Sequence, residues 1–144
     1  MRAGPDLTGG CACGAVRYRL ASVPFDAGYC HCELCRRSSG APLLAFATVP
    51  QADFVVIQGA ARRRRSTSFG ERGFCADCGT QLTMHVDHQP DTIDFTLCSL
   101  DRPDAVIPGF HLYFASRPAW FDVRDSLPRH DRLRPDTRGL APQT

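Results

Sequence analysis

Apolar and polar residues alternate over Val16-Arg17-Tyr18-Arg19-Leu20, the period of a strand with one buried face. Leu43 to Val49 and Phe54 to Ile57 are apolar runs of strand length, joined through the turn Pro50-Gln51-Ala52-Asp53. Leu82-Thr83-Met84-His85-Val86 and Thr92 to Leu97 read as another pair of strands. Phe110 to Phe114 is one more, with Ala119 to Val123 beyond it. Helical periodicity is missing from every window of about 11 residues. Only Glu33 to about Ser38 reads as a short helix. Pro (11 residues) and Gly (12 residues) keep the intervals short. Short strands with turns about every 8–12 residues predict an all-β, mainly antiparallel domain.

No linker or repeat divides the chain, so residues 1–144 read as one domain. Its core is expected at about 7–129, and the stretch from about Pro128 to Thr144 reads as a peripheral tail, like the first six residues. A chain of 144 residues can bury a core without staples. Net charge is +2, too small to draw the whole molecule onto nucleic acid or membrane. All 17 basic residues are Arg, which excludes a lysine Schiff base or a Walker-type lysine. The start, Met1-Arg2-Ala3-Gly4-Pro5-Asp6, has no apolar signal region, and no apolar stretch is long enough to span a membrane. A reducing cytoplasm is the expected compartment. There, cysteines read as metal ligands or reactive thiols rather than disulfides.

Cysteine is the residue that changes the picture. Seven of the eight fall in three tight groups: Cys11-Ala12-Cys13, Cys30-His31-Cys32-Glu33-Leu34-Cys35, and Cys75-Ala76-Asp77-Cys78. A Cys-x-x-Cys turn folds back so that its amides point at the sulfurs, and Gly79 suits the positive φ of such a knuckle. A Cys-x-Cys pair on a strand presents both sulfurs on one face. A structural zinc site takes four protein ligands, and Cys11, Cys13, Cys75 and Cys78 supply four. Cys30, Cys32 and Cys35 supply three thiols without an obvious fourth, the ligand count of a catalytic zinc site.

Other readings stay open at this level. The four-cysteine set would form disulfides in an exported protein. The three-cysteine set would be a second structural site if Cys98 or His111 closed it. Cys98 otherwise reads as a strand thiol. His31 would point away from its flanking ligands and serve as a hydrogen-bonding neighbour. Arg62-Arg63-Arg64-Arg65 raises the question of nucleic acid. It carries no interleaved aromatics, and on a strand its side chains alternate between faces. A solvated edge strand is the simpler expectation. Seven thiolates subtract seven charges and two Zn²⁺ return four, so the formal +2 becomes −1. That argues further against nucleic acid.

The groups and their flanks carry a resemblance. Gly9-Gly10-Cys11-Ala12-Cys13-Gly14-Ala15-Val16-Arg17-Tyr18 comes first, then Cys30-His31-Cys32-Glu33-Leu34-Cys35-Arg36-Arg37-Ser38-Ser39-Gly40-Ala41-Pro42. Arg72-Gly73-Phe74-Cys75-Ala76-Asp77-Cys78-Gly79-Thr80-Gln81-Leu82 follows. Ser99-Leu100-Asp101, Pro108-Gly109-Phe110-His111-Leu112-Tyr113 and Pro118-Ala119-Trp120 complete it. Over roughly Leu7 to Arg129 the sequence resembles the GFA family, that of glutathione-dependent formaldehyde-activating enzyme and centromere protein V. The resemblance implies a Mss4-like (β-tent) fold. It implies one zinc on Cys11, Cys13, Cys75 and Cys78 and a second on Cys30, Cys32 and Cys35. It also implies carbon–sulfur lyase chemistry that joins glutathione to formaldehyde as S-hydroxymethylglutathione.

Three thiolates make zinc a weak Lewis acid, which suits holding a thiol better than generating hydroxide. Cys30, Cys32 and Cys35 are therefore the expected catalytic centre, with a small thiol as partner. Arg36 and Arg37 are candidates to balance the thiolates or to fork onto a substrate carboxylate. His111 is a candidate proton shuttle if it faces the same cleft. The alternative is a non-catalytic zinc module that carries a thiol or contacts nucleic acid or protein.

Overall fold

The computed structural model describes residues 7–134. Alternating burial builds two sheets. Leu7–Gly10 (β1), Arg17–Leu20 (β2) and Phe54–Gln58 (β5) pair antiparallel in the order β1-β2-β5. The second sheet contains Phe25–Cys30 (β3), Leu44–Pro50 (β4), Arg62–Thr67 (β6), Gly70–Phe74 (β7), Gln81–Val86 (β8), Thr92–Thr96 (β9) and His111–Leu112 (β10). Its order is β10-β3-β4-β9-β8-β7-β6. All its pairs are antiparallel except β10 with β3. Glu33–Ser39 forms the one α-helix among the described residues (α1). The fold is all-β and mainly antiparallel, as the periodicity and punctuation predict.

The main core lies between the sheets. Tyr18 and Leu20 from β2 meet Ala47 and Val49 from β4, Ile93 and Phe95 from β9, and Leu82 from β8. Tyr18 is fully buried, and its ring stacks on Phe54 with centroids 4.4 Å apart. Its hydroxyl meets the Ser99 hydroxyl at 2.7 Å. Ser99 donates its own proton to the Thr96 carbonyl, so Tyr18 is the donor. Phe46 points to the opposite face of β4. There it joins Phe110 and Leu112 in a second cluster, against which Cys30, Met84 and Tyr113 pack. Gly28 lets this cluster close, because a Cβ there would stand 2.4 Å from the Phe110 ring.

The turn after β4 is a 3-10 turn, Gln51–Asp53, and it hands the chain from the large sheet to the small one. The expected β8–β9 pair is present. Strands β1, β3 and β7 are not legible in the hydrophobic pattern, because glycines or polar residues occupy much of them. The expected strand Phe110 to Phe114 shrinks to two residues. Tyr113 adopts φ 53°, which ends the strand and starts the 3-10 turn Phe114–Ser116. Ala119 to Val123 forms no strand.

The first part of the expected peripheral tail lines the edge strand β10, where the His111 and Tyr113 amides donate to the Pro128 and Arg132 carbonyls. The His130 amide donates to the His111 carbonyl. Arg134 closes the segment by pairing with Asp26 and lying 4.1 Å over the Phe110 ring. The rest of the expected tail, and the first six residues, lie outside the described residues. No helix among the described residues is long and apolar enough to cross a membrane.

Candidate metal centres

The first centre forms where the small sheet meets the β7–β8 hairpin. Cys11 and Cys13 follow β1, and Cys75 and Cys78 follow β7. Cys11 and Cys75 are buried in the main core, whereas Cys13 and Cys78 face solvent. The knuckle closes through the Gly79 amide on the Cys75 carbonyl and the Cys75 amide on the Thr80 carbonyl. Gly79 takes φ 79°, where a side chain would be strained.

All four sulfurs lie within 4.8 Å of one another. Sulfurs about 2.3 Å from a tetrahedral ion are separated by about 3.8 Å. The Cys11–Cys13 and Cys13–Cys75 separations are 3.6 and 3.8 Å. The donor set and its spacing therefore fit a thiophilic metal ion. The surroundings favour thiolate at two positions. Bonds from the Thr80 hydroxyl and amide bring the Cys78 thiol down to about 5. Burial raises Cys11, but the Val16 amide and the neighbouring thiols bring it below its ordinary value.

The second centre lies on the opposite face of the large sheet. Cys30 ends β3, Cys32 caps α1 and Cys35 sits in its first turn. The Cys35 amide donates to the Cys32 sulfur at 3.3 Å, so the helix start itself curls the three sulfurs inward. They too lie within 4.8 Å of one another and could hold a metal. Among the described residues no fourth Cys, His, Asp or Glu completes this group. Cys98 is exposed and outside it, and His111 is engaged elsewhere. Neither closes the centre as a fourth ligand.

The three thiols share protons unevenly. Bonds from the Cys30 and Cys35 thiols, helped by the Cys35 amide and Arg72, draw Cys32 down to about 2. The same contacts with Cys32 and Cys35, together with burial, push Cys30 well above its ordinary value. One proton leaves readily and the others are held by the negative charge that results. A bound cation is what allows all three to ionise.

His31 points away from the sulfurs, as expected for alternate residues. Its Nε2 lies 2.8 Å from His111 Nδ1, and His111 Nε2 lies 3.0 Å from the Asp125 carboxylate. Asp125 needs a donor, so the proton of neutral His111 is assigned to Nε2 and that of His31 to its own Nε2. Both rings are essentially inaccessible to solvent. Burial, then the neighbouring His111 and Arg117, brings His31 down to about 4. The pair holds β3 to β10 beneath the second centre, and His111 does not line a cleft with the sulfurs.

Arg37 pairs with Glu33 on the exposed face of α1. Arg36 is half-buried, and its Nε has no partner. Arg72, rather than either, reaches the centre, with Nη2 3.4 Å from the Cys35 sulfur. Tyr113 packs, as Cys30 does, against the Phe46–Phe110–Leu112 cluster. Burial, followed by the three thiol charges, raises its phenol. Sequence reasoning assigned no role to Arg72, Tyr113 or Asp125. The first two stand inside the motifs that carry the family resemblance, so a signal was there. Asp125 stands in an irregular segment that carries none. Arg62–Arg65 is the edge strand β6, where Arg63 pairs with Glu71 and Arg65 with Asp87.

The family model described as glutathione-dependent formaldehyde-activating enzyme matches residues 6–116. The chain belongs to the GFA family. A Halomonas elongata protein, provisionally named a glutathione-dependent formaldehyde-activating enzyme, is 31% identical over 129 residues. That match covers 81% of this chain and 80% of the relative. An uncharacterised lyase of Schizosaccharomyces pombe is 35% identical over 138 residues, covering 85% of this chain and 96% of that one. A crystal structure of a Rhodobacter sphaeroides protein matches with TM-score 0.55 and 24% identity. It covers 70% of this GFA chain and 97% of its own, and it supports the fold.

Proposed function

We propose that this GFA protein is a zinc-dependent carbon–sulfur lyase that joins a small thiol, glutathione by family analogy, to formaldehyde. Cys11, Cys13, Cys75 and Cys78 hold a structural zinc. Cys30, Cys32 and Cys35 hold the reactive one. The observation that carries the reading is the contrast between four converging sulfurs and three. Bound at the second centre, zinc supplies a positive charge that favours the thiolate form of an incoming thiol.

The chain's own residues do the rest. Cys30, Cys32 and Cys35 would hold the ion at the start of α1 and so set where the thiol sulfur sits. Arg72 offsets the negative charge of the sulfur cluster through Cys35. The incoming thiol loses its proton to solvent, and the thiolate forms a sulfur–carbon bond to formaldehyde while the carbonyl π pair moves onto oxygen. Tyr113, kept protonated by its surroundings, gives its phenolic proton to that oxygen and recovers one from solvent. The sum is thiol plus aldehyde giving hydroxymethyl thioether, with no oxidant needed.

Calorimetric titration of zinc-loaded protein with glutathione tests the reading. Saturable binding is expected in the wild type and its loss in Cys32→Ser. Equal binding by both would overturn it.

A further inference from the structure

A cavity of about 300 Å³ opens between α1 and the β6–β7–β8 edge of the large sheet. Leu34 and Ser38 line it from the helix, and Arg64, Arg72, Phe74 and Gln81 from the sheet. The volume is at the small end of ligand sites and suits the arm of a small molecule. Arg64 and Arg72 are direct cross-strand partners in the β6–β7 register, so their side chains share a face. Like charges placed opposite each other are destabilising.

The adjacent arginines resolve their charge differently. Arg63 and Arg65 each have a carboxylate partner on the other face. Arg64 has none among the described residues. Arg72 spends Nη2 on the Cys35 sulfur, and its Nη1 is buried without a partner. Gln81 Nε2 is also buried without a partner. Two guanidinium groups and an amide thus offer donors in one small cavity that no carboxylate lines. One of those guanidiniums already touches the second metal centre.

We infer that this cavity binds a carboxylate of the thiol substrate, held by Arg64, Arg72 and Gln81 while the substrate sulfur occupies the Cys30–Cys32–Cys35 centre. The inference rests on the thiol reading above and narrows it to thiols that carry an acidic arm. A carboxylate supplies the missing negative charge and accepts from both guanidinium groups. Planar guanidinium donors suit it better than they suit a hydroxyl or amine. Arg64 is exposed, so it can be changed without touching the core or the sulfurs.

The test titrates zinc-loaded wild type and Arg64→Gln with glutathione, with its diethyl ester, and with glutarate, a dicarboxylate lacking sulfur. In the wild type, glutathione should bind about tenfold to a hundredfold more tightly than the ester. Arg64→Gln should lose that preference while still binding the ester, and Arg64→Lys should keep part of it. If both thiols bind the wild type equally, or Arg64→Gln keeps the full preference, the carboxylate cavity is wrong and the thiol centre stands. If no thiol binds but glutarate does, and Arg64→Gln abolishes it, the cavity stands and the thiol centre is wrong. If neither glutathione nor glutarate binds, both are wrong.

Discussion

Removing the two solvent-facing ligands of the first centre, Cys13→Ser with Cys78→Ser, should cost far more stability than removing a ligand of the second. Cys11 and Cys75 remain, so core packing is preserved and only the metal link is lost. That link closes a loop of 62 residues between Cys13 and Cys75. Treated as a cross-link, such a loop contributes roughly 4 kcal/mol of chain entropy, against roughly 2 kcal/mol for the five-residue span of Cys30 to Cys35. For a chain of this size the larger value corresponds to a melting shift on the order of 10–15 °C. The assay is thermal unfolding of zinc-loaded protein followed by circular dichroism, with and without a chelator. The double variant should melt low, and the chelator should lower it further only by the smaller contribution of the second centre. Cys32→Ser should melt nearer the wild type and still respond. If the double variant melts within a few degrees of the wild type, the first centre does not hold the two sheets together.

His31 makes stability depend on pH. Its folded value of about 4 lies below the ordinary 6.5, so the unfolded chain takes up the proton first as pH falls. The contribution is complete above pH 6.5 and is lost between there and about pH 4, amounting to about 3 kcal/mol. Denaturation titrations across that window should show a shallower loss in His31→Gln, and parallel curves would contradict the assignment. Tyr113→Phe should lower the rate of thiol–formaldehyde addition about tenfold or more at unchanged zinc content. An unchanged rate, read by loss of free thiol, removes Tyr113 from the mechanism. Gly28→Ala should destabilise the fold by about 1–3 kcal/mol, because the new methyl group meets the Phe110 ring. A denaturant midpoint equal to wild type would refute that contact.

Much of the fold is legible in the sequence where one face of a strand is buried and the other wet. Val16 to Leu20 and the β8–β9 pair show this. Thiol spacing is an equally local signal, which is why both cysteine groups can be read from the sequence alone. What escapes depends on distant partners. Strand β1 is Leu-Thr-Gly-Gly, with almost no side chains to pattern, and it exists because β2 pairs with it. Residues 129–134 are rich in Arg, yet backbone bonds tie them to β10. His111 sits in an apolar run, but its role follows from His31, 80 residues earlier, and Asp125, 14 later. Arg64 and Arg72 become a pair only through the β6–β7 register.

The central claim is that an external thiol completes the Cys30–Cys32–Cys35 centre. X-ray absorption at the zinc edge counts sulfur neighbours directly. Protein loaded with two zinc ions should show seven sulfurs over two ions, four at one centre and three at the other. Saturating glutathione should raise the total to eight. A total that stays at seven would contradict the thiol site, and a total of eight before glutathione is added would mean that the second centre is already closed.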